Sequence, residues 1–170
     1  MDLKKYIADI PNFPKPGIIF KDISPLLGSP EAFRSAIQSL CEPLRWKVEV
    51  IVGLDARWFI FGSAVAYELW LPFVMIRKPG KLPWETISYE YDLEYGSNRL
   101  SIQKNVIGMW KKVWIVDDIL ATGGTTLTAI KLIEEIGGKV EQICFLISLS
   151  FLPGEKLLHW YSVNSLVKYT

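Results

Sequence analysis

Two adjacent carboxylates, Asp117 and Asp118, lie just before a small turn rich in glycine and hydroxyl groups at residues 121–125. The preceding run, residues 113–116, is apolar and β-branched, which predicts a strand buried in a parallel sheet. Helical apolar spacing follows the turn, so its backbone N–H groups are suited to bind a phosphate. Paired carboxylates at a strand end suit the hydroxyl groups of a polyol, or a metal ion. The stretch therefore predicts a site for a sugar that carries a terminal phosphate.

Two common nucleotide-binding motifs do not fit this stretch. The P-loop requires a lysine after its last glycine, and none follows Gly123 and Gly124. The dinucleotide motif requires spaced glycines, whereas these two are adjacent. A plain strand-to-helix turn with two solvated carboxylates is the simpler alternative, since most Gly-Gly pairs are only that. The complete string of strand, Asp-Asp, Thr-Gly-Gly-Thr and helix is much harder to obtain by chance.

Two other loops are predicted to place cations at the same edge of the sheet. Residues 48–54 form a second predicted buried strand, which ends before Arg57 and the apolar helix 59–69. Residues 72–76 form a third strand, which precedes a basic Pro-Gly turn. Three cations within five residues predict an anion site there, although most short basic runs are only solvated loops. These cations are Arg77, Lys78 and Lys81.

The elements that must position these residues alternate between strand and helix, which predicts a parallel α/β sheet. Residues 140–149 form a further predicted strand, and residues 163–167 a possible edge strand. Strict alternation within residues 84–104 predicts a β-hairpin, either a flap that closes over the site or a plain edge hairpin. Residues 1–28 form an N-terminal arm, with a short helix before residue 10. Its three clustered prolines exclude helix and central strand, and its Phe20 is expected in the core.

Length and composition predict a single domain over residues 1–170. The net charge of +1 gives no support for nucleic-acid binding. No secretory segment or membrane span is apparent, so we expect a cytoplasmic protein. Cys41 and Cys144 lie in apolar contexts that favour buried free thiols, although the sequence leaves a disulfide open. His159, the single histidine, lies far from every loop above, so no catalytic dyad or metal cluster is expected.

Taken together, these stretches resemble the type I phosphoribosyltransferases, and among them the adenine phosphoribosyltransferase family. The string at 117–125 resembles the phosphoribosyl-pyrophosphate (PRPP) signature of the whole superfamily. The arm, the basic loop and the Leu-Glu-Tyr-Gly flap are more specific to the adenine enzymes, and the resemblance covers nearly the whole chain. The other matching stretches are residues 13–23 (Phe-Pro-Lys-Pro-Gly-Ile-Ile-Phe-Lys-Asp-Ile), 53–57 (Gly-Leu-Asp-Ala-Arg), 59–62, 76–83 and 91–96.

The resemblance implies transfer of the phosphoribosyl group of PRPP to adenine N9, with release of AMP and pyrophosphate, in purine salvage. It implies Mg²⁺ bound mainly through PRPP, with no dedicated protein ligands, and a homodimer. The implied ribose and 5′-phosphate residues are Asp117, Asp118, Ala121, Thr122, Gly123, Gly124 and Thr125. The implied pyrophosphate residues are Asp55, Ala56, Arg57, Arg77, Lys78 and Lys81. The implied adenine residues are Ile19, Phe20, Lys21 through its backbone, and Leu152.

The flap carries the implied catalytic residues. Glu94 matches the family's glutamate that manages the N9 proton, and Tyr95 would shape the closed site. For Phe20, the resemblance replaces the core assignment with a role in stacking on adenine.

Tryptophan stands at three positions where the family usually has glycine. Trp58 directly follows Arg57, and its bulk is expected to perturb the pyrophosphate side, above all if its φ is positive. Trp70 and Trp110 lie at predicted turns, where a large side chain is more easily tolerated. Seven tryptophans in 170 residues is a high number, and natural drift and engineering are both open as explanations.

Two other functions compete with transfer to adenine. A relative that uses another purine base, such as hypoxanthine or xanthine, would share the PRPP signature, but the arm and the flap argue against it. A PRPP-binding regulator that has lost turnover is favoured by Trp58. The presence of Glu94 and the basic loop argues against that regulator.

Overall fold

The protein is described by a computed structural model that covers residues 1–44, 48–92 and 97–170. Strands and helices alternate along most of the chain, as the sequence predicts. In chain order the elements are a 3-10 helix (Leu3–Tyr6), β1 (Ala8–Pro11), β2 (Ile19–Asp22), α1 (Ser24–Leu27), α2 (Pro30–Cys41), a 3-10 helix (Glu42–Leu44), β3 (Val50–Leu54), α3 (Trp58–Leu69), β4 (Phe73–Ile76), β5 (Thr86–Asp92), β6 (Ser97–Gln103), β7 (Lys112–Leu120), α4 (Gly124–Glu135), β8 (Lys139–Leu149), α5 (Gly154–Leu157) and β9 (Val163–Tyr169).

The central sheet has the strand order β4-β3-β7-β8-β9, and every neighbouring pair is parallel. This confirms the predicted α/β fold. The chain first moves outward from β3 to β4 and then crosses back to β7 on the other side of β3. The direction of winding therefore reverses between β3 and β7. In open parallel sheets, ligands bind at the carboxyl ends of the strands at such a reversal.

Both faces of the sheet are covered, which explains the continuous apolar runs of its central strands. Trp114 and Val116 of β7 point into one core, which α2 and α3 cover. Val113 and Ile115 point into a second core, which α4 and the β5–β6 hairpin cover. The alternation of side chains along one strand thus supplies both cores.

β7 is longer than the sequence predicts, because it continues through both carboxylates to Leu120. Asp117 and Asp118 therefore belong to the strand and are held by its ladder, with Asp117 opposite Phe145 of β8. The predicted end of α4 is confirmed: the helix ends at Glu135, and Gly137 has a φ of 90°. The predicted burial of Cys41 and Cys144 is also confirmed, and no disulfide joins them.

The N-terminal arm is more regular than predicted. β1 and β2 form an antiparallel hairpin in which Pro11 lies opposite Ile19. Proline is tolerated there because Pro11 ends its strand and the remaining prolines lie in the connecting turn. The predicted helix before residue 10 is reduced to one 3-10 turn, capped by Asp2, whose carboxylate accepts from the Lys4 N–H.

The second hairpin, β5–β6, has the two predicted strands. Ile87 lies opposite Ile102, and Tyr89 lies opposite Leu100. Leu100 and Ile102 are buried in the core under α4. The hairpin tip, with Glu94 and Tyr95, lies outside the described residues. Among the helices that the structure describes, none is long and apolar enough to cross a bilayer.

Candidate active site

The predicted phosphate turn forms a small cavity at the end of β7. Gly123 has a φ of 83°, which only glycine adopts readily, and α4 begins at the next residue. The free N–H groups of that helix start face the turn. The cavity measures about 150 Å³, and its lining includes Trp58, Asp117, Ala121, Thr122, Gly123 and Thr125. The structure therefore brings five of the seven predicted ribose and phosphate residues together around one space, and Asp118 and Gly124 lie outside its lining.

Gly154, which the sequence analysis did not single out, holds this turn in place. Its N–H donates to the Ala121 carbonyl at 3.0 Å. A Cβ on Gly154 would collide with that carbonyl oxygen and with the Leu120 side chain. A close approach of two backbones requires glycine, so the start of α5 is fitted to the phosphate turn. The Pro153-Gly154 pair was the only sign of this contact in the sequence.

The two carboxylates of β7 are buried and only partly satisfied. Asp117 Oδ1 accepts from the backbone N–H of Asp118 at 2.5 Å and of Ile119 at 3.4 Å. Within the described part of the chain, Asp117 Oδ2 and both Asp118 oxygens have no hydrogen-bond donor. Burial, and then the neighbouring Asp118 charge, raise the pKa of Asp117 well above its usual value. Buried acceptors without donors are costly, so they indicate a place for ligand hydroxyl groups.

Arg57 connects two parts of the site, the end of β7 and the arm. Its Nε forms an ion pair with Asp118 Oδ2, although the contact does not have hydrogen-bond geometry. Its guanidinium carbon also lies 5.3 Å from the centre of the Phe20 ring. Its side chain is about one third exposed, so one face remains open to the crevice. This position follows from the fold, because the loops after β3 and β7 are neighbours at the winding reversal.

The basic loop after β4 lies on the other side of Arg57. Arg77 Nε donates to Asp55 Oδ2 at 2.9 Å, which joins this loop to the loop after β3. Backbone bonds between Arg77 and Ser101, of 2.7 and 3.0 Å, attach it to the hairpin as well. Lys78 and Lys81 are exposed, with ammonium groups available to an anion. The Asp55–Ala56 peptide bond is cis.

On the predicted base side, Phe20 is half-buried rather than part of the core. It stacks edge-on against Phe13, with ring centres 5.2 Å apart, and faces Arg57 on its other side. Ile19 is exposed beside it. The Lys21 side chain points away: it is buried against Asp9, at 2.6 Å. The core position expected from the residues alone is therefore wrong for Phe20.

Leu152 lies in the loop between β8 and α5, half-buried, at the carboxyl edge of the sheet. The remaining predicted residues, Glu94 and Tyr95, lie outside the described residues, so their positions stay a prediction. The hairpin that carries them is attached to α4, because the Tyr89 hydroxyl donates to Glu135.

The tryptophans differ from expectation. Trp58 is the first residue of α3 and has an ordinary φ, and its ring borders the phosphate cavity rather than only the pyrophosphate loops. Trp70 and Trp110 have φ values of 56° and 63°. Backbone strain is therefore located at the two positions expected to be tolerant, and it is absent at Trp58. A third such residue, Trp84, was not anticipated.

The chain is a member of the phosphoribosyltransferase class, in agreement with the parallel sheet and with the glycine turn, buried carboxylates and basic loop at its carboxyl edge. The family described as "Phosphoribosyl transferase domain" matches residues 26–168 of the chain.

The particular family follows from the relatives. The adenine phosphoribosyltransferase of Alkaliphilus metalliredigens is 52% identical over 170 residues, which span 99% of this chain and 100% of that protein. The crystal structure of the Thermoanaerobacter pseudethanolicus enzyme has a TM-score of 0.95 and 48% identity, covering 99% of this chain and 98% of that one. The Saccharomyces cerevisiae enzyme, crystallised with adenine and an imino-altritol bisphosphate, has a TM-score of 0.93 and 39% identity, over 97% and 96%. The chain belongs to the adenine phosphoribosyltransferase family.

Proposed function

We propose that this protein transfers the 5-phosphoribosyl group of PRPP to N9 of adenine and releases AMP and pyrophosphate. The observation that carries the proposal is the position of Arg57. It contacts the Phe20 ring on the arm and the buried Asp118 carboxylate on β7. The loop that carries Arg57 is also joined to the basic turn after β4 by the hydrogen bond from Arg77 to Asp55. A base, a ribose and a pyrophosphate bound at these three places would meet at one arginine.

The ribose and its 5′-phosphate occupy the end of β7 in this proposal. The phosphate enters the cavity at residues 121–125, where α4 begins and the backbone N–H groups are free. The two ribose hydroxyl groups, on C2′ and C3′, donate to two of the three buried oxygens of Asp117 and Asp118 that lack a hydrogen-bond donor. Satisfying these acceptors stabilises the bound sugar and holds C1′ in a fixed position.

The chemical step breaks the bond between C1′ and the pyrophosphate oxygen, and the electron pair leaves with that oxygen. Adenine N9 forms the new bond to C1′, which passes through an oxocarbenium-like transition state. Negative charge grows on the departing group, so Arg57, Arg77, Lys78 and Lys81 stabilise the transition state more than the bound substrate.

Adenine stacks on Phe20, with Ile19 and the Lys21 backbone beside it and Leu152 on its far side. Half-burial leaves the Phe20 ring able to receive a planar ligand while Phe13 holds its edge. The N9 proton passes to the carboxylate of Glu94 when the hairpin closes, and Tyr95 helps to exclude water.

Mg²⁺ fits this site through PRPP rather than through the protein alone. Within residues 1–44, 48–92 and 97–170, no group of three His, Cys, Asp or Glu side chains could hold a metal ion. The Asp117 and Asp118 carboxylates would hold the ribose of PRPP, the ligand through which Mg²⁺ would bind. When bound, the metal would neutralise charge on the pyrophosphate group.

We also propose that the protein is a cytoplasmic homodimer. Support comes from a groove of about 900 Å³ between α2 and α3, whose lining includes Phe33, Ile37, Ile60 and Tyr67. Tyr67 and Ile60 are exposed in the single chain. Light scattering across a range of concentrations measures the mass, and Tyr67→Glu should convert a dimer into a monomer. A monomeric parent at every concentration would contradict this part of the proposal.

The activity test supplies PRPP and Mg²⁺ with adenine, hypoxanthine, guanine or xanthine and follows pyrophosphate release. We expect turnover with adenine alone. Turnover with another base, or PRPP binding without turnover, would overturn the proposal. Glu94→Gln should retain PRPP binding but lose about 10²–10⁴-fold in kcat, the usual contribution of one general acid or base. Glu90→Gln on the same hairpin is the control and should keep its activity.

A further inference from the structure

Positive φ values in this chain follow a selective pattern. Among the described residues, eight have a positive φ, and they comprise three residue types. Four are glycines and one is Asn12, which are the types that adopt this conformation readily. The other three are tryptophans. These are Trp70 (56°), Trp84 (63°) and Trp110 (63°).

The size of an aromatic side chain does not by itself explain which residues have a positive φ. The sequence contains eight phenylalanines and seven tyrosines, and none of those that the structure describes has a positive φ. A bulky residue in this region is an outlier, because its Cβ crowds the backbone. Three of the six tryptophans that the structure describes are such outliers. The anomaly is therefore specific to tryptophan.

At positions 70 and 110, the backbone has a conformation in which glycine is usually found. Trp70 follows the last residue of α3, where its N–H donates to the Tyr67 carbonyl and the Leu71 N–H donates to the Ala66 carbonyl. This pair of bonds is a Schellman motif, whose left-handed residue is usually glycine. Trp110 is the third residue of a turn that Lys111 closes by donating to Gly108 at 3.2 Å. In a type II turn that position requires glycine or asparagine.

Burial does not compensate for the strain at these three tryptophans. Trp70, Trp84 and Trp110 are 94%, 87% and 78% exposed. Burial of an aromatic side chain is the usual reason for keeping one, and it is missing here. Trp114 is the contrast: it is fully buried in the core under α2 and α3, where a glycine would leave a large cavity.

We propose that the functional protein carries glycine at positions 70, 84 and 110, and that each position is encoded by UGA. UGA is a stop codon in the standard genetic code, a tryptophan codon in some variant codes and a glycine codon in others. If a gene uses UGA for glycine but is translated with a code in which UGA means tryptophan, tryptophan replaces glycine at each of those codons. True tryptophans, such as Trp114, use UGG. The inference does not depend on the proposed function, because it rests on backbone geometry and exposure.

The first test reads the gene and the native protein. We expect UGA at codons 70, 84 and 110, UGG at codon 114, and peptides from the source cells with the mass of glycine at the three positions. UGG at the three codons, or peptides with the mass of tryptophan, would overturn the proposal.

The second test measures thermal unfolding of the chain with tryptophan and of single variants at position 70. Trp70→Gly removes the Cβ, Trp70→Ala removes only the indole, and Trp70→Asn introduces a side chain that tolerates positive φ. We expect unfolding midpoints in the order Gly, Asn, then Ala and Trp together. Relief of one left-handed residue should change the folding equilibrium constant roughly 5- to 30-fold. At this chain length, each kcal/mol of added stability raises the unfolding midpoint by about 2–4 °C.

The matched control is Trp160→Gly. Trp160 is 83% exposed but does not have a positive φ, so glycine should give no stabilisation there. If Trp70→Ala stabilises as much as Trp70→Gly, the gain comes from losing an exposed indole, and the glycine assignment fails.

Discussion

The ribose-phosphate side of the crevice and its base side are assembled differently. On the ribose-phosphate side, β7 and the start of α4 supply the carboxylates and the phosphate turn from one continuous stretch. On the base side, the arm supplies Phe20, the loop after β3 supplies Arg57, and the loop after β8 supplies Leu152. The first side is anchored in the central sheet, whereas the arm forms a separate two-stranded sheet.

Because of this difference, the two sides are suited to bind different chemical groups. A buried strand can place charged oxygens where no solvent competes, as the unsatisfied Asp117 and Asp118 oxygens show. The base side offers ring surfaces that are half-buried or exposed, at Phe20 and Phe13. In the proposed function, the sugar phosphate would therefore meet a buried polar site, and the base a more exposed apolar one. Arg57 touches both sides, so its removal should have the largest effect.

We expect Arg57→Ala to lower kcat/KM about 10²–10³-fold, the usual effect of removing one group that stabilises developing negative charge. It also leaves Asp118 buried without its cation. Steady-state kinetics with both substrates varied would measure the change. Arg57→Lys keeps the charge but loses the planar fork, so it should recover only part of the activity. If Arg57→Ala changed only the KM for adenine, the link between the two sides would be wrong.

Asp117→Asn should weaken PRPP binding about 10- to 100-fold, the scale of a hydrogen bond to a charged group. In the protein without ligand, the same change should increase thermal stability. The pKa of Asp117 is raised by burial, so the folded state keeps the proton to a higher pH than the unfolded chain does. Stability therefore falls as the pH rises above the ordinary carboxyl value of 3.8.

The stability advantage of Asp117→Asn over the parent should accordingly grow as the pH is raised from 3.8 towards neutrality. Unfolding midpoints measured across that range, with Glu68→Gln as an exposed control, would test this. An advantage that stays constant with pH would mean that Asp117 is not buried as a costly charge.

Phe20→Leu should raise the KM for adenine about tenfold, the effect of losing one base-stacking contact, while the KM for PRPP stays nearly unchanged. Phe13→Leu is the matched control, because Phe13 touches Phe20 but is not on the Arg57 side. Equal effects of both variants on the two substrates would show that the arm acts as a general scaffold instead of a base site.

Trp58→Gly should raise the affinity for PRPP several-fold, the smallest of the four effects. The Trp58 ring borders a cavity of about 150 Å³, which is small for a ligand pocket of the usual 300–1,000 Å³. Calorimetric titration with PRPP would measure it, with Trp70→Gly as a control distant in the chain from the cavity. Equal affinities for parent and Trp58→Gly would rule out an effect of the ring on this side.

Much of the ribose-phosphate side can be predicted from the sequence because its residues are neighbours in the chain. The apolar run before Asp117 predicts a strand, and the glycines after Leu120 predict a turn, from neighbouring residues alone. The extension of β7 through both carboxylates was missed, because charged residues seldom continue a buried strand. The arm hairpin was missed since its prolines look incompatible with strand until their positions at the strand end and turn are known.

The order of the strands, and with it the meeting of Arg57, Asp118 and Phe20, depends on contacts between residues far apart in the chain. Local periodicity predicts strands but not which ones become neighbours, and the winding reversal between β3 and β7 brings the two loops together. The same holds for the tryptophans: their number is visible in the sequence, whereas the sign of φ at positions 70, 84 and 110 is a property of the folded backbone. The sequence therefore predicts the chemistry of the phosphate site, and the packing of the sheet brings the residues proposed for the base and the pyrophosphate beside it.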